Sequence, residues 1–401
     1  MAEKKGNSKI VWIILFSIIT VILCYLFVVV YFYFISPYNI SLKIGFWPFV
    51  SDEAIGEMYA DATVQINYEA TDENFEQVSV SVVGVNVKKD GYILAPLSEF
   101  SDYSELTQIT IFTNSGTAYN GELLYSDKNY NIAVFKCLNI DGSDKKIRIP
   151  YVKIGDKSDY SAYDDVILIS STSGSKAVIS GAIEDTDYVE CVPKLVDGVE
   201  VYDYTVSYGF IVSTGDNYSF AGGAVFDTKG KLLGFCFGEL LETNLLPGEY
   251  FIQPAYGAKY FLEDIVDAQE DGEVYQNDLL SAVCGFDNYE ATFMVDHEQG
   301  ETGSKTFYFD RAWNPASTAI EEFSLSGGPG FYLFKEFDFE GNVIPANSII
   351  QGVKIGNESK VDVDWRVDLI DALYSAESGD RVLLTYTEEG ASSVKTLSFT
   401  V

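Results

Sequence analysis

The sequence has 401 residues and a formal net charge of −34, from 60 acidic and 26 basic side chains. A negative charge of this size repels phosphate backbones, so nucleic-acid binding is excluded as a function class. Apolar residues make up 47% of the chain, which is far too many for a disordered acidic protein. The length predicts two domains with accessory segments.

The histidine content restricts the chemistry that this chain can perform. His297 is the single histidine. A hydrolytic mechanism with a histidine base, or a metal site built from several histidines, would have to involve this residue or be absent. Asp296 and Glu298 flank His297 and could bind a cation with it, but the segment 295–301 is typical of a solvated loop. We therefore predict no metal and no cofactor.

The N-terminal part of the chain predicts a transmembrane helix. Residues 10–35 form an apolar run without a charged side chain. About 20 residues cross a bilayer core as a helix, whereas a signal-peptide core has about 7–15 residues and is followed by a cleavage site. Lysines precede the run and acidic residues follow it, so the positive-inside rule predicts residues 1–9 in the cytoplasm and the bulk outside. The predicted localisation is a single-pass anchor in the cell membrane.

The rest of the chain is predicted to be mainly β-structure in two regions. A proline-containing stalk at 36–57 precedes short β-type runs with turn signals at 58–267, a pattern typical of a barrel or sandwich closed by a helix at 258–267. A polar linker at 268–277 leads to a region at 278–401 that mixes strands with a helix near 366–376. The predicted strands are 78–87, 91–94, 109–112, 132–135, 166–170, 208–213, 223–226 and 232–238.

Six segments of the first region resemble, in the same order, the HtrA/DegP branch of the trypsin-like serine proteases. Two examples are VVGVNVKKDGYIL at 82–94, which is similar to the opening hairpin of that family, and FAGGAVFDTKGKLLGF at 220–235, which is similar to its nucleophile segment. The six segments are 82–94, 109–136, 149–170, 178–183, 220–235 and 252–266. The resemblance implies a trypsin-like double β-barrel.

The resemblance also places the catalytic positions of the family on unsuitable side chains. A serine protease needs a nucleophile, a base, a carboxylate that orients the base, and backbone N–H donors for the oxyanion. The base position falls on Ser98, the orienting position on Asn131 and the nucleophile position on Ala221; Gly222 and Gly223 remain as a remnant of the oxyanion loop. The resemblance therefore implies no catalytic residue and an inactive homologue.

Two routes to activity stay open at this point. A register shift of two residues would make Ser219 the nucleophile, although it would still lack a base. A Ser–Lys dyad would need no histidine, and Lys229 and Lys231 are near in sequence. Both lysines belong to a turn that is typical of exposed surface. An active serine endopeptidase with rearranged residues is therefore the second hypothesis.

Residues 330–401 resemble the PDZ domains that follow HtrA protease domains, and we assign a PDZ-like α+β domain to 278–401. Its middle pieces are Ile349 to Val353, the helix around Asp368 to Leu373, and Gly379-Asp380. The resemblance implies binding of peptide or protein ends by strand addition, with the groove residues unknown, and a homotrimer by family analogy. The leading prediction is a membrane-anchored pseudoprotease that binds polypeptides. A third hypothesis is a purely structural envelope protein.

Cysteine usage argues against a disulfide scaffold. Five cysteines in 401 residues are few. Cys24 lies in the apolar run, and Cys137 and Cys236 lie in strand-like runs, where they are predicted to be small buried hydrophobic residues. Pairing of the four cysteines outside the run, which include Cys191 and Cys284, cannot be deduced from the sequence.

Overall fold

The structure is a computed structural model that describes most residues as far as 275 and separate segments beyond. The described residues are 7–30, 38–46, 51–71, 77–97, 106–127, 130–143, 145–172, 175–196, 199–215, 222–236, 245–275, 291–294, 297–298, 305–306, 330–333, 336–339, 341–346, 348–363, 366–377, 379–388, 391 and 393–400.

Helices precede the first strand. They are α1 (Asn7–Val30), α2 (Ile40–Phe46) and α3 (Asp52–Ala62). The large apolar side chains of α1 between Trp12 and Phe27 are 44–73% exposed. Counting only the residues whose side chains are described, no helix is long and apolar enough to cross a membrane. The anchor at 10–35 stays a prediction.

The segment predicted as a stalk at 36–57 is packed into the body of the protein. Ile40 and Ile44 are buried in the main hydrophobic cluster. Asn39 forms a parallel bridge with Tyr151, and the Asn39 amide donates to the Tyr151 hydroxyl at 3.0 Å. Because its isoleucine side chains are buried, this segment is part of the folded body and not a free stalk.

The first half of the strand-rich region is a closed antiparallel barrel in the order β1-β2-β3-β6-β5-β4. Its strands are β1 (Thr63–Thr71), β2 (Gln77–Lys88), β3 (Tyr92–Pro96), β4 (Leu106–Phe112), β5 (Ala118–Asp127) and β6 (Ile132–Leu138). Alternate side chains point to opposite faces of a strand. In β6, Ala133 and Phe135 therefore fill the barrel, while Ile132 and Val134 pack in the cluster between the barrels.

The second half forms another ring of strands. Its strands are β7 (Lys153–Ile154), β8 (Asp165–Thr172), β9 (Ser175–Val196), β10 (Val199–Ser213), β11 (Ala224–Asp227), β12 (Lys231–Cys236) and β13 (Glu249–Pro254). Because β11 pairs with both β8 and β12, the ring β8-β9-β10-β13-β12-β11 closes, and β7 adds to β12 outside it. The expected double β-barrel is confirmed.

The hairpin of β9 and β10 is much longer than the single strand predicted at 208–213. The two strands pair in antiparallel fashion, with three register shifts, as far as Val196 and Val199. The outer part of such a ribbon pairs with itself and lines no barrel core, so it needs no continuous apolar run. A search for apolar runs in the sequence therefore finds only the end of β10, which belongs to the barrel.

A helical segment closes the second barrel. A 3₁₀-helix at Tyr256–Tyr260 leads into α4 (Leu262–Asp271). The predicted linker at 268–277 is thus wrong at its start, because α4 continues to Asp271. Gly272 has φ +74°, and the N–H of Glu273 donates to the carbonyl of Ala268 at 2.8 Å. This left-handed glycine ends the helix.

The C-terminal region is built on an antiparallel sheet with the order β14-β17-β20-β22-β23, and β21 pairs with β20. The elements are β14 (Ala291–Met294), β15 (His297–Glu298), β16 (Lys305–Thr306), β17 (Gly330–Leu333), β18 (Phe337–Phe339), β19 (Asn342–Ile344), β20 (Ser348–Ile355), β21 (Val361–Asp362), α5 (Arg366–Tyr374), β22 (Arg381–Glu388) and β23 (Lys395–Thr400). The predicted helix near 366–376 is confirmed. His297 pairs with Thr306 in a short ribbon, where a loop was predicted.

Tyr163 adopts a backbone conformation that its side chain does not favour. Its φ is +70° and its side chain is 80% exposed, so packing does not compensate for the strain. We expect Tyr163→Gly to raise the free energy of unfolding by about 0.5 kcal/mol, because relief of about 1 kcal/mol of strain exceeds the entropy cost of glycine. Denaturant unfolding measures this change. Tyr163→Ala retains a β-carbon and should give no gain; equal gains in both variants would contradict the explanation.

The two cysteines that were predicted to be buried in strands are indeed buried. Cys137 and Cys236 are buried, and burial raises the pKa of the Cys137 thiol to about 12. Because the thiolate is the reactive form, we expect iodoacetamide to leave Cys137 unmodified in the folded chain near pH 8, about the ordinary pKa of cysteine. Denatured chain should react fully. Peptide mass spectrometry tests this, and rapid alkylation in the folded chain would contradict it.

Candidate functional site between the two barrels

Asn131 lies at the junction of the two barrels, in the turn that leads into β6. Its φ is +53°, a left-handed conformation that asparagine tolerates better than most residues. The Asn131 carbonyl accepts the N–H of Leu97 at 2.8 Å. This bond connects the turn to the end of β3, so the backbone at the orienting position is held from within the first barrel.

The side chain of Asn131 is bound by the second barrel. Its amide nitrogen donates to the side-chain oxygen of Gln253 at 2.7 Å, and the Gln253 amide nitrogen donates to the carbonyl of Tyr130 at 3.2 Å. Both side chains are neutral amides, which donate and accept hydrogen bonds but do not ionise. The pair can orient a polar group, yet it cannot stabilise an imidazolium as a buried carboxylate does.

A shallow depression with almost no enclosed volume surrounds this amide pair. Both barrels contribute to its wall, which is formed by Pro96, Tyr130, Asn131, Ile132, Phe235, Gln253 and Pro254. Small-molecule sites usually enclose about 300–1,000 Å³. The depression encloses far less than this, so it is a feature of the surface and not an enclosed small-molecule site.

The two glycines of the predicted oxyanion remnant are tied to β12. Gly222 has φ +69°, and its N–H donates to the carbonyl of Cys236 at 3.0 Å. The N–H of Cys236 donates to the carbonyl of Gly223 at 2.7 Å. The N–H of Gly222 is therefore already used within the fold. The assignment of Gly222 and Gly223 to a remnant of the oxyanion loop stays a prediction.

The other two predicted triad positions, Ser98 and Ala221, lie outside the described residues. The structure therefore locates Asn131, but it does not test whether the three positions converge. Leu97, which precedes Ser98, donates its N–H to the Asn131 carbonyl, and Gly222, which follows Ala221, donates its N–H to the Cys236 carbonyl.

The surroundings of Lys229 and Lys231 do not support the Ser–Lys route to activity. A lysine base must be neutral, and burial or a nearby positive charge favours that form. The Lys231 amine is instead bound to the Asp159 carboxylate in an ion pair of 2.5 Å. Lys229 is exposed.

Gln253 and Tyr130 were missed by the sequence reasoning. Gln253 is 122 residues from Asn131 along the chain and belongs to a β-strand with no distinguishing motif. Tyr130 is one of 28 tyrosines. No local signal separates either residue from ordinary polar or aromatic positions.

Comparison with family models gives one description for this region. Residues 82–235 match the trypsin-like peptidase domain. The match runs from β2 to β12 and includes Asn131, Gly222 and Gly223. No curated protein matches the chain significantly.

Proposed function

Residues 82–235 form a trypsin-like peptidase domain with a double β-barrel fold, and on this premise we propose that the chain is a membrane-anchored, HtrA-like pseudoprotease that binds polypeptides without cutting them. The absence of histidine from residues 1–296 carries the proposal. Without an imidazole, the domain lacks the usual base that takes a proton from a serine nucleophile.

The contacts of Asn131 support the loss of catalysis. An amide stands where the family has a carboxylate, and its nitrogen is already engaged by Gln253. In the worked triad template, replacing the orienting aspartate by asparagine alone lowers the rate by about 10⁴. Here the predicted base position, Ser98, has also lost its imidazole.

The shape of the cleft supports binding of an extended chain. The depression between the barrels is lined largely by proline, isoleucine and phenylalanine side chains around one amide pair. An apolar side chain of a bound polypeptide could lie against this surface while the amides orient a neighbouring peptide group. The proposed ligand is therefore an unfolded or extended polypeptide of the cell envelope.

The C-terminal region supports a second binding element of the PDZ type. Helix α5 packs beside β20 and β21, and β20, β22 and β23 form consecutive antiparallel pairs. A helix beside a sheet is the arrangement in which a chain end can add as a further strand. The groove residues are not assigned.

Helix α1 supports anchoring in the membrane. The lysines before it and the acidic residues after it support an extracytoplasmic location for the bulk of the chain. The large apolar side chains of α1 face outward. The hydroxyls of Ser17 and Thr20 donate to the carbonyls of Ile13 and Phe16, each at 2.9 Å. Polar groups that bond to their own helix are compatible with lipid surroundings.

The full chain, purified in detergent micelles, provides the test of the pseudoprotease. We expect it to bind fluorescein-labelled unfolded casein, measured by fluorescence anisotropy, and to release no labelled fragments. A fluorophosphonate probe should label no serine above the level found in heat-denatured chain.

Matched variants separate the other outcomes. Ser219→Ala and Ser98→Ala should leave casein binding and the absence of labelling unchanged. Casein turnover that disappears in Ser219→Ala would establish the active serine endopeptidase. If the chain neither binds nor cuts casein, that result would favour the purely structural protein and overturn the proposal.

A further inference from the structure

The C-terminal helix α5 is docked on the double barrel. Ile370 is 4% exposed and belongs to the same buried cluster as Ile132 and Phe235, which line the cleft. The helix also contacts β17, β20 and β21 of its own sheet, and its Leu369 and Leu373 side chains are buried too. The helix therefore connects the C-terminal module to the protease-like domain.

The docked helix exchanges hydrogen bonds with the barrels in both directions. The Tyr130 hydroxyl donates to Oδ1 of Asp371, and the Tyr256 hydroxyl donates to Oδ2 of Asp371 at 3.0 Å. In return, the hydroxyl of Tyr374 donates to Asp127. Each side of the interface thus supplies one carboxylate and at least one phenol.

Asp127 connects this exchange to the candidate site. Its Oδ1 accepts the backbone N–H of Tyr130 at 2.8 Å, which closes the turn immediately before Asn131. Its Oδ2 accepts the hydroxyls of Tyr374 and, at 3.3 Å, of Tyr125. The carboxylate that shapes the turn is therefore held in place by a phenol from the C-terminal helix.

Tyr130 is held from two directions. Its hydroxyl is bound to Asp371, and its carbonyl accepts the Gln253 amide that also binds Asn131. Its ring contacts that of Tyr374, with centroids 5.2 Å apart in an edge-on arrangement. Burial, followed by the charge of Asp371, raises the pKa of Tyr130 well above its ordinary value, so the phenol stays a donor at neutral pH.

We propose that Tyr374 and Asp371 are positioning residues for the cleft, because the docked C-terminal module holds Asp127 and Tyr130 and thereby Asn131 and Gln253. Release of helix α5 then loosens the cleft. By reciprocity, any ligand that requires the ordered turn favours docking of the module. Only this last consequence rests on the proposed function.

Amide hydrogen exchange of the full chain in detergent micelles, without any ligand, tests the inference. Tyr374→Phe removes one hydroxyl and keeps the ring. We expect about tenfold faster exchange of the Tyr130 and Leu97 amides, the lower end of the effect of a hydrogen bond to a charged group. The amides of β12 should exchange as in the unchanged chain.

A second variant and a control keep the result interpretable. Ile370→Ala weakens docking without removing a hydrogen bond and should accelerate the same two amides. Tyr163→Phe makes the same chemical change at an exposed position and should have no effect. Exchange at Tyr130 and Leu97 that stays unchanged in Tyr374→Phe, or that rises equally in β12, would overturn the inference. Failure of casein binding would leave this measurement unaffected.

Discussion

Tyr59→Ala is expected to lower the free energy of unfolding by about 4 kcal/mol, the largest loss that we predict for a single substitution. Tyr59 has no exposed surface and stacks on Phe226, with ring centroids 4.4 Å apart and planes 10° from parallel. Its truncation leaves a cavity between α3 and the second barrel. Denaturant unfolding followed by tryptophan fluorescence measures the loss.

The hydroxyl of Tyr59 adds a polar contribution to this packing. It accepts the N–H of Gly230 at 2.7 Å and donates to the carbonyl of Asp227. Tyr59→Phe keeps the ring and leaves these two backbone groups without that partner, at a cost of about 1–3 kcal/mol. A loss in Tyr59→Ala no greater than that in Tyr59→Phe would contradict the packing argument.

The turn that binds Tyr59 also requires glycine. Gly230 has φ +102°, and a β-carbon there would lie 2.5 Å from the α-carbon of Ser41. The N-terminal segment therefore approaches the turn at backbone contact. This close approach explains why residues predicted to be a stalk are part of the stable body.

Gly257→Ala is the second large prediction, with an expected loss of about 3 kcal/mol, at the upper end of common overpacking costs. A β-carbon at Gly257 would lie 2.1 Å from the ring of Tyr130. The ring would have to move, and its bond to Asp371 would move with it. We therefore expect faster exchange of the Tyr130 and Leu97 amides together with the loss of stability.

The double variant Gly257→Ala with Tyr130→Ala provides the control for this prediction. Removal of the ring creates the space that the methyl group needs, so Gly257→Ala should cost less than about 1 kcal/mol in that background. Additive losses in the double variant would show that the clash with Tyr130 is not the cause. Thermal and denaturant unfolding of the four proteins complete the cycle.

Local patterns identified many of the barrel strands. The sequence runs that form β2, β3, β6 and β8 are rich in β-branched residues and bounded by turn residues, so the sequence alone predicts them as strands. Strand β1 was missed, although Val64, Ile66 and Tyr68 alternate toward the barrel core. Its polar residues between these positions, such as Gln65, break the apolar run on which the prediction relied.

The sequence by itself determined the order of the strands of a trypsin-like domain and a histidine-free region of 296 residues. These properties depend on composition and on neighbours along the chain, so they can be deduced without coordinates. Only the tertiary structure paired Asn131 with Gln253 and bound Tyr130 to Asp371, which is 241 residues away. Such pairs form because barrel closure and helix docking bring ordinary side chains together, and that packing carries no local signature.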